Sequence, residues 1–428
     1  MGSSQQKFYT SPLAVINHLV KWTLLSIPVS VITGSLVALF LWSLEEATHL
    51  RYEFPILLWG LPASGLLIYW LYKIGGKNAE AGNNLVIDEI HKPGAGVPAR
   101  MAPLVLITTV ITHLFGGSAG REGTAVQIGG SMAAWVAKVF KLGNQDVKII
   151  LMCGVAGGFG AVFGTPVTGA VFALEVLAIG SVQYIALLPC LITSLFANWV
   201  CMGWNIHHTQ YHILFEGSHD EWIPYLHVDV LLILKVVIAS IAFGLASNLF
   251  AVLTHNIKHL SKKFIKKAYL VPVAGGLVII LLTYLIQTTD YNGLGVSGPF
   301  PDSVNIVNAF HAGNVEYYSW LLKLVFTAIT LGMGFKGGEV TPLFFIGATL
   351  GNTMALLLGA PVDLLAAVGF IAVFAGATNT PIACTLMGIE LFGGTHLVYF
   401  AIGCFTAYYF SGHTGIYASQ KKLMQKIV

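Results

Sequence analysis

The sequence predicts an all-α polytopic membrane protein built from two related halves of tilted and broken helices. Of its 428 residues, 56% are hydrophobic and only 10% charged, with a mean hydropathy of +0.76. A soluble domain carries about 25% charged residues. Many of the apolar stretches are shorter than the roughly 20 residues that a straight span needs. Two of the interrupted stretches recur in the same order about half a chain apart.

Long apolar segments run over 13–43, 56–73, 183–203, 229–254, 270–286 and 318–334. Shorter or glycine-rich ones cover 103–116, 124–137, 147–162, 167–179, 342–358, 362–377, 381–393 and 396–410. Broken backbone at membrane depth survives only where protein buries it or a wet cavity solvates it, so these segments predict an interior pathway.

The repeat is visible in the breaks. Gly154 to Thr165-Pro166 leads to Glu175, and Gly369 to Thr380-Pro381 leads to Glu390, each glutamate nine residues after its proline. The offset is 380 − 165 = 215 residues. Upstream, Gly120-Arg-Glu122-Gly-Thr-Ala-Val-Gln-Ile-Gly129 parallels Gly337-Gly-Glu339-Val-Thr-Pro-Leu-Phe-Phe-Ile-Gly347, at an offset of 217 to 218. Interrupted segments at matching places in two halves mark a transporter binding site. An odd number of spans per half would make the halves inverted.

Charge placement sets the topology. Lys258, Lys262, Lys263, Lys266 and Lys267 form a basic hinge, and Lys421, Lys422 and Lys426 crowd the C-terminus. Stretches 205–228 and 287–317 carry no Lys or Arg. The positive-inside rule puts the basic loop and the C-terminal end in the cytoplasm and the two Lys-free stretches outside. Lys7 and Lys21 place the N-terminus in the cytoplasm as well. The N-terminal residues fit neither a cleavable signal peptide nor a myristoylation site. Beside apolar spans the lysine cluster is a topology signal, and no nucleic-acid partner is expected. Cys153, Cys190, Cys201, Cys384 and Cys404 lack metal-ligand spacing and read as packed, reduced thiols.

Glu122 sits on a glycine-rich hinge at membrane depth, where an idle charge costs about 2.5 kcal/mol or more. An anion at that depth needs N–H and O–H donors, which helix N-termini supply without a full positive charge. Four candidate helix starts carry suitable residues: Gly82-Asn83-Asn84, Gly120-Arg121-Glu122, Gly337-Gly338-Glu339-Val340-Thr341 and Gly415-Ile416-Tyr417. Asn83 donates through its amide, Thr341 and Tyr417 through their hydroxyls. Plainer roles compete: Asn83 capping a helix from Leu85, Thr341 capping before Pro342, Tyr417 in an interfacial belt, and Glu339 paired with Lys336. A mere ion pair between Arg121 and Glu122 is disfavoured, because adjacent helical residues point in different directions. Glu175 and Glu390 are read as structural acceptors of backbone N–H groups.

Other chemistry is weaker. His207, His208 and His212 are read as part of a solvated outer loop rather than a metal site. Gly-Gly-x-Gly at 157–160 lacks the setting of a dinucleotide fingerprint, and no Ser–His–Asp arrangement or Gly-x-Ser-x-Gly stands out. No enzyme, metal or cofactor is expected.

The run Gly120-Arg-Glu-Gly-Thr-Ala-Val-Gln-Ile-Gly resembles the gating-glutamate motif of the CLC chloride channel and transporter family. Gly337-Gly-Glu-Val-Thr-Pro resembles its second-half anion motif, and Gly164-Thr-Pro-Val-Thr-Gly-Ala-Val-Phe-Ala-Leu-Glu175 its central helix. The resemblance covers about 20–420. It implies one membrane transport domain over 1–428, with inverted repeats at about 13–203 and 229–417, assembled as a homodimer with an anion pathway in each subunit. Glu122 would gate the pathway and carry the proton. The resemblance also implies no regulatory domain after Tyr417 and a bacterial-type cell-membrane protein.

Departures from the family pattern sharpen the expectation. Asn83 stands in place of the serine of Gly-Ser-Gly-Ile-Pro, and Thr124 in place of a proline. Glu339 and Val340 replace Ile and Phe of Gly-Gly-Ile-Phe-x-Pro, and Val176 stands where chloride/proton exchangers commonly have a second relay glutamate. Together these resemble the fluoride-exporting branch in its asparagine-bearing form. The implied function is fluoride/proton antiport, with Glu339 in coupling. Asn83, Gly120, Arg121, Gly123, Val340, Thr341 and Tyr417 would line the anion site. Chloride/proton exchange or a chloride channel is the alternative.

Overall fold

The structure, a computed structural model, describes residues 12–217, 229–424 and 426. Lys7, the N-terminal pattern and the end of the 205–228 stretch lie outside the described residues. The helices are α1 (Pro12–Glu53), α2 (Leu61–Leu71), α3 (Asn83–His91), α4 (Met101–Leu114), α5 (Glu122–Val139), α6 (Asn144–Phe163), α7 (Pro166–Glu175) and α8 (Leu187–Gly203). After the described part of the 205–228 stretch come α9 (Val230–Phe264), α10 (Leu270–Ile286), α11 (Ser319–Gly332), α12 (Val340–Leu358), α13 (Val362–Thr378), α14 (Pro381–Phe392) and α15 (Leu397–Phe410). Among the described residues, six helical stretches are long and apolar enough to cross a membrane. The only sheet among them is a two-stranded parallel contact, Ala178–Ile179 with Lys421–Lys422, which ties the C-terminal tail to the end of α7.

The apolar blocks of the sequence become helices with small shifts. The first runs on to Glu53 despite Pro28, and the 56–73 block splits into a tight turn and α2. Lys262 and Lys263 lie in the last turn of α9, where cations suit the carbonyl end of the dipole.

Both halves use one packing scheme. The long helix α1 packs on α4, α6 and α8, as α9 packs on α11, α13 and α15. Helix α5 crosses α6 where Gly129 and Gly154 meet, and α12 crosses α13 where Gly347 and Gly369 meet. A Cβ at any of these four glycines would overlap the facing backbone carbonyl, so glycine is what allows the crossings. Helices α6 and α13 both end on a left-handed residue, Gly164 (φ 73°) and Asn379 (φ 59°).

The halves run in opposite directions. The end of α1 reaches the 287–317 stretch, where Tyr52 donates to the Ser297 carbonyl at 3.0 Å. The other Lys-free stretch packs on the same face, with Tyr211 stacked on Phe310 at 5.5 Å. Helix α9 therefore starts near the face at which α1 finishes. Reciprocal contacts join the halves. Glu390 accepts from Val167 N (2.9 Å) and Thr168 N (2.7 Å) at the start of α7. Glu175 accepts from Ile382 N (3.1 Å) and Ala383 N (2.8 Å) at the start of α14. Both act as the structural acceptors expected, each on the other half's helix. The five cysteines are buried and free.

Candidate anion site at the paired hinges

The two glycine hinges meet directly. Gly120 N donates to Gly338 O at 2.6 Å and Gly338 N to Gly120 O at 2.8 Å, an antiparallel bridge between equivalent positions (338 − 120 = 218). A Cβ on Gly120 would stand 3.0 Å from Gly338 O and 2.9 Å from Pro342 Cδ. Bare backbone lets α5 and α12 begin side by side, with unpaired first-turn N–H groups and two positive dipole ends facing one place.

Glu122, the first residue of α5, fills that place and is fully buried. Its Oε2 accepts from Thr341 N at 3.0 Å and from Arg121 N at 3.1 Å. Its Oε1 accepts from the Thr341 hydroxyl and lies 3.5 Å from Arg121 Nε. The ion pair disfavoured from sequence thus forms. Arg121 caps the helix with φ −113°, so the angular separation of neighbouring helical residues does not apply to it. It is not a hydrogen bond, since Arg121 Nε has no such partner.

Two small cavities lie near the hinges, one of them bordered by the carboxylate. One, of about 20 Å³, faces the Lys-free side and is lined by Arg121, Glu122, His208, Tyr211, Thr341 and Phe344, among others. The second, of about 10 Å³, lies toward the tail and is lined by Asn83, Val126, Phe172, Val176 and Tyr417, among others. Each has room for about one water. Phe159, Phe163 and Phe172 of the first half pack on Phe344 and Phe374 of the second, and Phe344 stacks on Phe370 at 3.9 Å. Phe163, Phe344 and Phe370 of this block line the first cavity and Phe172 the second.

The structure brings together most of the predicted residues. Gly123 leaves open the point where a Cβ would stand 3.0 Å from Asn83 Nδ2 and 3.7 Å from Glu339 Oε2, so the amide and the second carboxyl converge there. Asn83 Oδ1 is buried without a partner. Amide O and N are interchangeable by a flip, so either an acceptor or a donor can be presented. Val340 and Thr341 form the first turn of α12, both buried.

Several plainer roles are corrected. Helix α3 starts at Asn83 itself, with Gly82 (φ 59°) as its cap, so Asn83 does not cap a helix from Leu85. Thr341 follows the cap position, which Glu339 occupies, and its hydroxyl goes to Glu122. Lys336 stacks on the Tyr72 ring at 4.2 Å, and no ion pair with Glu339 forms. Tyr417 is 6% exposed, inside rather than in an interfacial belt. No helix begins at Gly415, where Ile416 N donates instead to Ala377 O of α13 at 2.9 Å.

Sequence reasoning missed His208 and Tyr211. The stretch read as a solvated loop folds back, His208 packs on Gly164, and both residues line the cavity beside Glu122. Among the described residues no metal-ligand cluster forms. Apolar residues at alternate positions, Tyr211, Ile213 and Phe215, were the available signal for burial. Thr124 bonds Thr109 hydroxyl to hydroxyl at 2.8 Å, a tie from α5 to α4 that proline could not make. Ser118, just before the hinge, bonds Thr327 at 2.9 Å in the other half.

Known proteins share this arrangement. The family described as "Voltage gated chloride channel" matches residues 64–412. The chain is 46% identical over 428 residues to the "Chloride/fluoride channel protein" of Pseudomonas syringae pv. tomato, covering 98% of this chain and 91% of that protein. The crystal structure of a CLC-type fluoride/proton antiporter superposes with a TM-score of 0.87 at 33% identity, covering 95% of this chain and 99% of that one. A slow cyanobacterial Cl-/H+ antiporter shares the fold at a TM-score of 0.75 and 17% identity, covering 92% and 96%. With paired hinges, a buried hinge glutamate and a family match over most of its length, the chain belongs to the voltage-gated chloride channel, or CLC, family.

Proposed function

We propose that the protein exports fluoride in exchange for protons across the cell membrane, as a homodimer with one pathway per subunit and both termini in the cytoplasm. One observation carries the reading: the Glu122 carboxylate borders a small cavity and takes the donors an anion would use, Thr341 N, the Thr341 hydroxyl and Arg121 N. Protonated, Glu122 loses its attraction for those donors and swings away. Fluoride then takes its place, and release of the proton on the other side returns the carboxylate. Asn83, Tyr417 and the first-turn N–H groups of Gly123 and Val340 supply further donors, and Gly120 keeps the backbones close. Fluoride is small and an avid acceptor, which suits hydroxyl, amide and backbone donors. Glu339 beside Asn83 adds a carboxyl that donates to fluoride when protonated and moves protons when it is not. The fluoride/proton antiporter and the chloride/fluoride channel protein named above support this reading as relatives.

The test is flux in reconstituted vesicles. A fluoride gradient is expected to drive protons uphill in the wild type, and Glu122→Gln to abolish that, since an amide cannot release a proton. Uphill proton movement by the variant would overturn the gate assignment. Rapid chloride efflux with little fluoride efflux would replace the ion assignment with chloride exchange or conduction.

A further inference from the structure

On the face that carries the C-terminal tail, three segments bring basic groups to one cavity. It measures about 260 Å³ and is lined by His91 at the end of α3, Lys148 near the start of α6 and Lys421 in the tail strand. Gln183, before α8, adds an amide, and Met152 and Leu423 are among the apolar walls.

The tail fixes the geometry. Lys421 N donates to Leu177 O at 3.0 Å, and His91 Nε2 meets the same carbonyl at 3.0 Å. A carbonyl only accepts, so Nε2 carries the hydrogen and donates it. Among the described residues the ion pairs are Lys21–Asp146, His49–Glu45 and Arg121–Glu122, so neither Lys148 nor Lys421 has a carboxylate partner. Asp88, one turn back on α3, is exposed and takes no part in the lining. The basic groups feel one another. Burial first, then Lys421 and, more weakly, Lys148 lower the His91 pKa below its ordinary value, while the Leu177 bond and Asp88 raise it.

Like charges gathered without a counter-charge repel, and an anion between them turns that repulsion into charge-assisted hydrogen bonds. The volume sets the class of anion. A water's share is about 30 Å³, so the cavity is several times too large for a single halide. Donors converging from four segments call for several acceptor oxygens, which a phosphate group supplies. Exposed Tyr184 and Ile185 follow Gln183, and Leu423 is exposed as well, so the group can arrive on a lipid headgroup as well as free in solution.

We propose that His91, Lys148, Gln183 and Lys421 form a phosphate-binding site, filled by an anionic phospholipid headgroup or by a free phosphate compound. Occupancy ties the tail strand to α3 and α6, four residues beyond Tyr417. The site does not depend on which ion the Glu122 path carries.

The full-length protein in dodecyl maltoside, melted at fixed ionic strength, tests this with two probes. One is inorganic phosphate, and the other is phosphatidylglycerol compared with phosphatidylcholine. At least one probe is expected to raise the melting temperature and to slow hydrogen exchange over 419–422. A response to phosphatidylglycerol alone assigns the site to a lipid, and a response to inorganic phosphate assigns it to a soluble ligand. Lys148→Gln combined with Lys421→Gln is expected to raise the half-effective concentration about tenfold or more. Lys262→Gln combined with Lys263→Gln, at exposed positions of α9, is expected to leave it unchanged. Silence toward both probes, an equal loss in the α9 variant, or a melting response without slower exchange over 419–422 overturns the proposal. Lys421→Gln alone, at an exposed position, takes the place of the double variant if that fails to fold, and an unshifted response in it has the same force.

Discussion

In the proposed mechanism gating turns on the contact between Glu122 and Thr341. A hydrogen bond to a charged group contributes about 1.5–3 kcal/mol, so the Thr341 hydroxyl holds the carboxylate where it lies. Thr341→Val is expected to loosen the closed gate and raise the ratio of fluoride to protons moved, read by measuring both fluxes in one vesicle preparation. Gly123 offers a second test. A Cβ there meets Asn83 Nδ2 at 3.0 Å and Gly338 Cα at 3.1 Å, so Gly123→Ala pushes apart the groups that converge on it. Overpacking of this kind costs about 1–3 kcal/mol, and fluoride efflux is expected to drop about tenfold or more in a protein that still folds. Glu122 was legible because charge at membrane depth is rare and a hinge surrounds it. The Arg121 pair was not, because it depends on the non-helical angle of a capping residue. His208 and Tyr417 reach the site through long-range folding that no local pattern encodes.

At the scale of elements, the starts of α7 and α14 are closed by carboxylates from the opposite half. Thr165 and Thr380 occupy the cap positions yet make no side-chain cap bond, and Glu390 and Glu175 do that work across the interface. Glu175→Gln and Glu390→Gln each replace a charged acceptor with an amide, and each is expected to cost about 1.5–3 kcal/mol. Thermal melting in detergent checks this, and a variant that melts like the wild type would show the caps to be dispensable. Most helix positions in the second half were legible to within a few residues, because apolar blocks bounded by glycine and proline leave few choices, whereas α1 and α9 each run ten residues beyond their apolar blocks into polar sequence. The repeat predicted that Glu175 and Glu390 share a role, but not that they exchange partners. The failed start at Gly415 has a similar cause: the Ile416 N–H is met by Ala377 O of α13 instead of by a helix of its own.

For the whole molecule, composition made the fold class legible, lysine placement sets an expectation of sidedness, and the opposed directions of α1 and α9 needed coordinates. Sidedness has a simple test, because the five native cysteines are buried and stay silent toward a membrane-impermeant thiol reagent. A cysteine at Phe300, 67% exposed in the 287–317 stretch, is expected to label on intact cells. One at the exposed Lys263 is expected to label only after permeabilisation. The exchanged glutamates carry a further meaning. Neither half satisfies its own α7 or α14, so a polypeptide cut between α8 and α9 yields two fragments that are each incomplete and mutually complementary. Co-expressed, the fragments should find one another and restore transport, whereas either alone should be degraded.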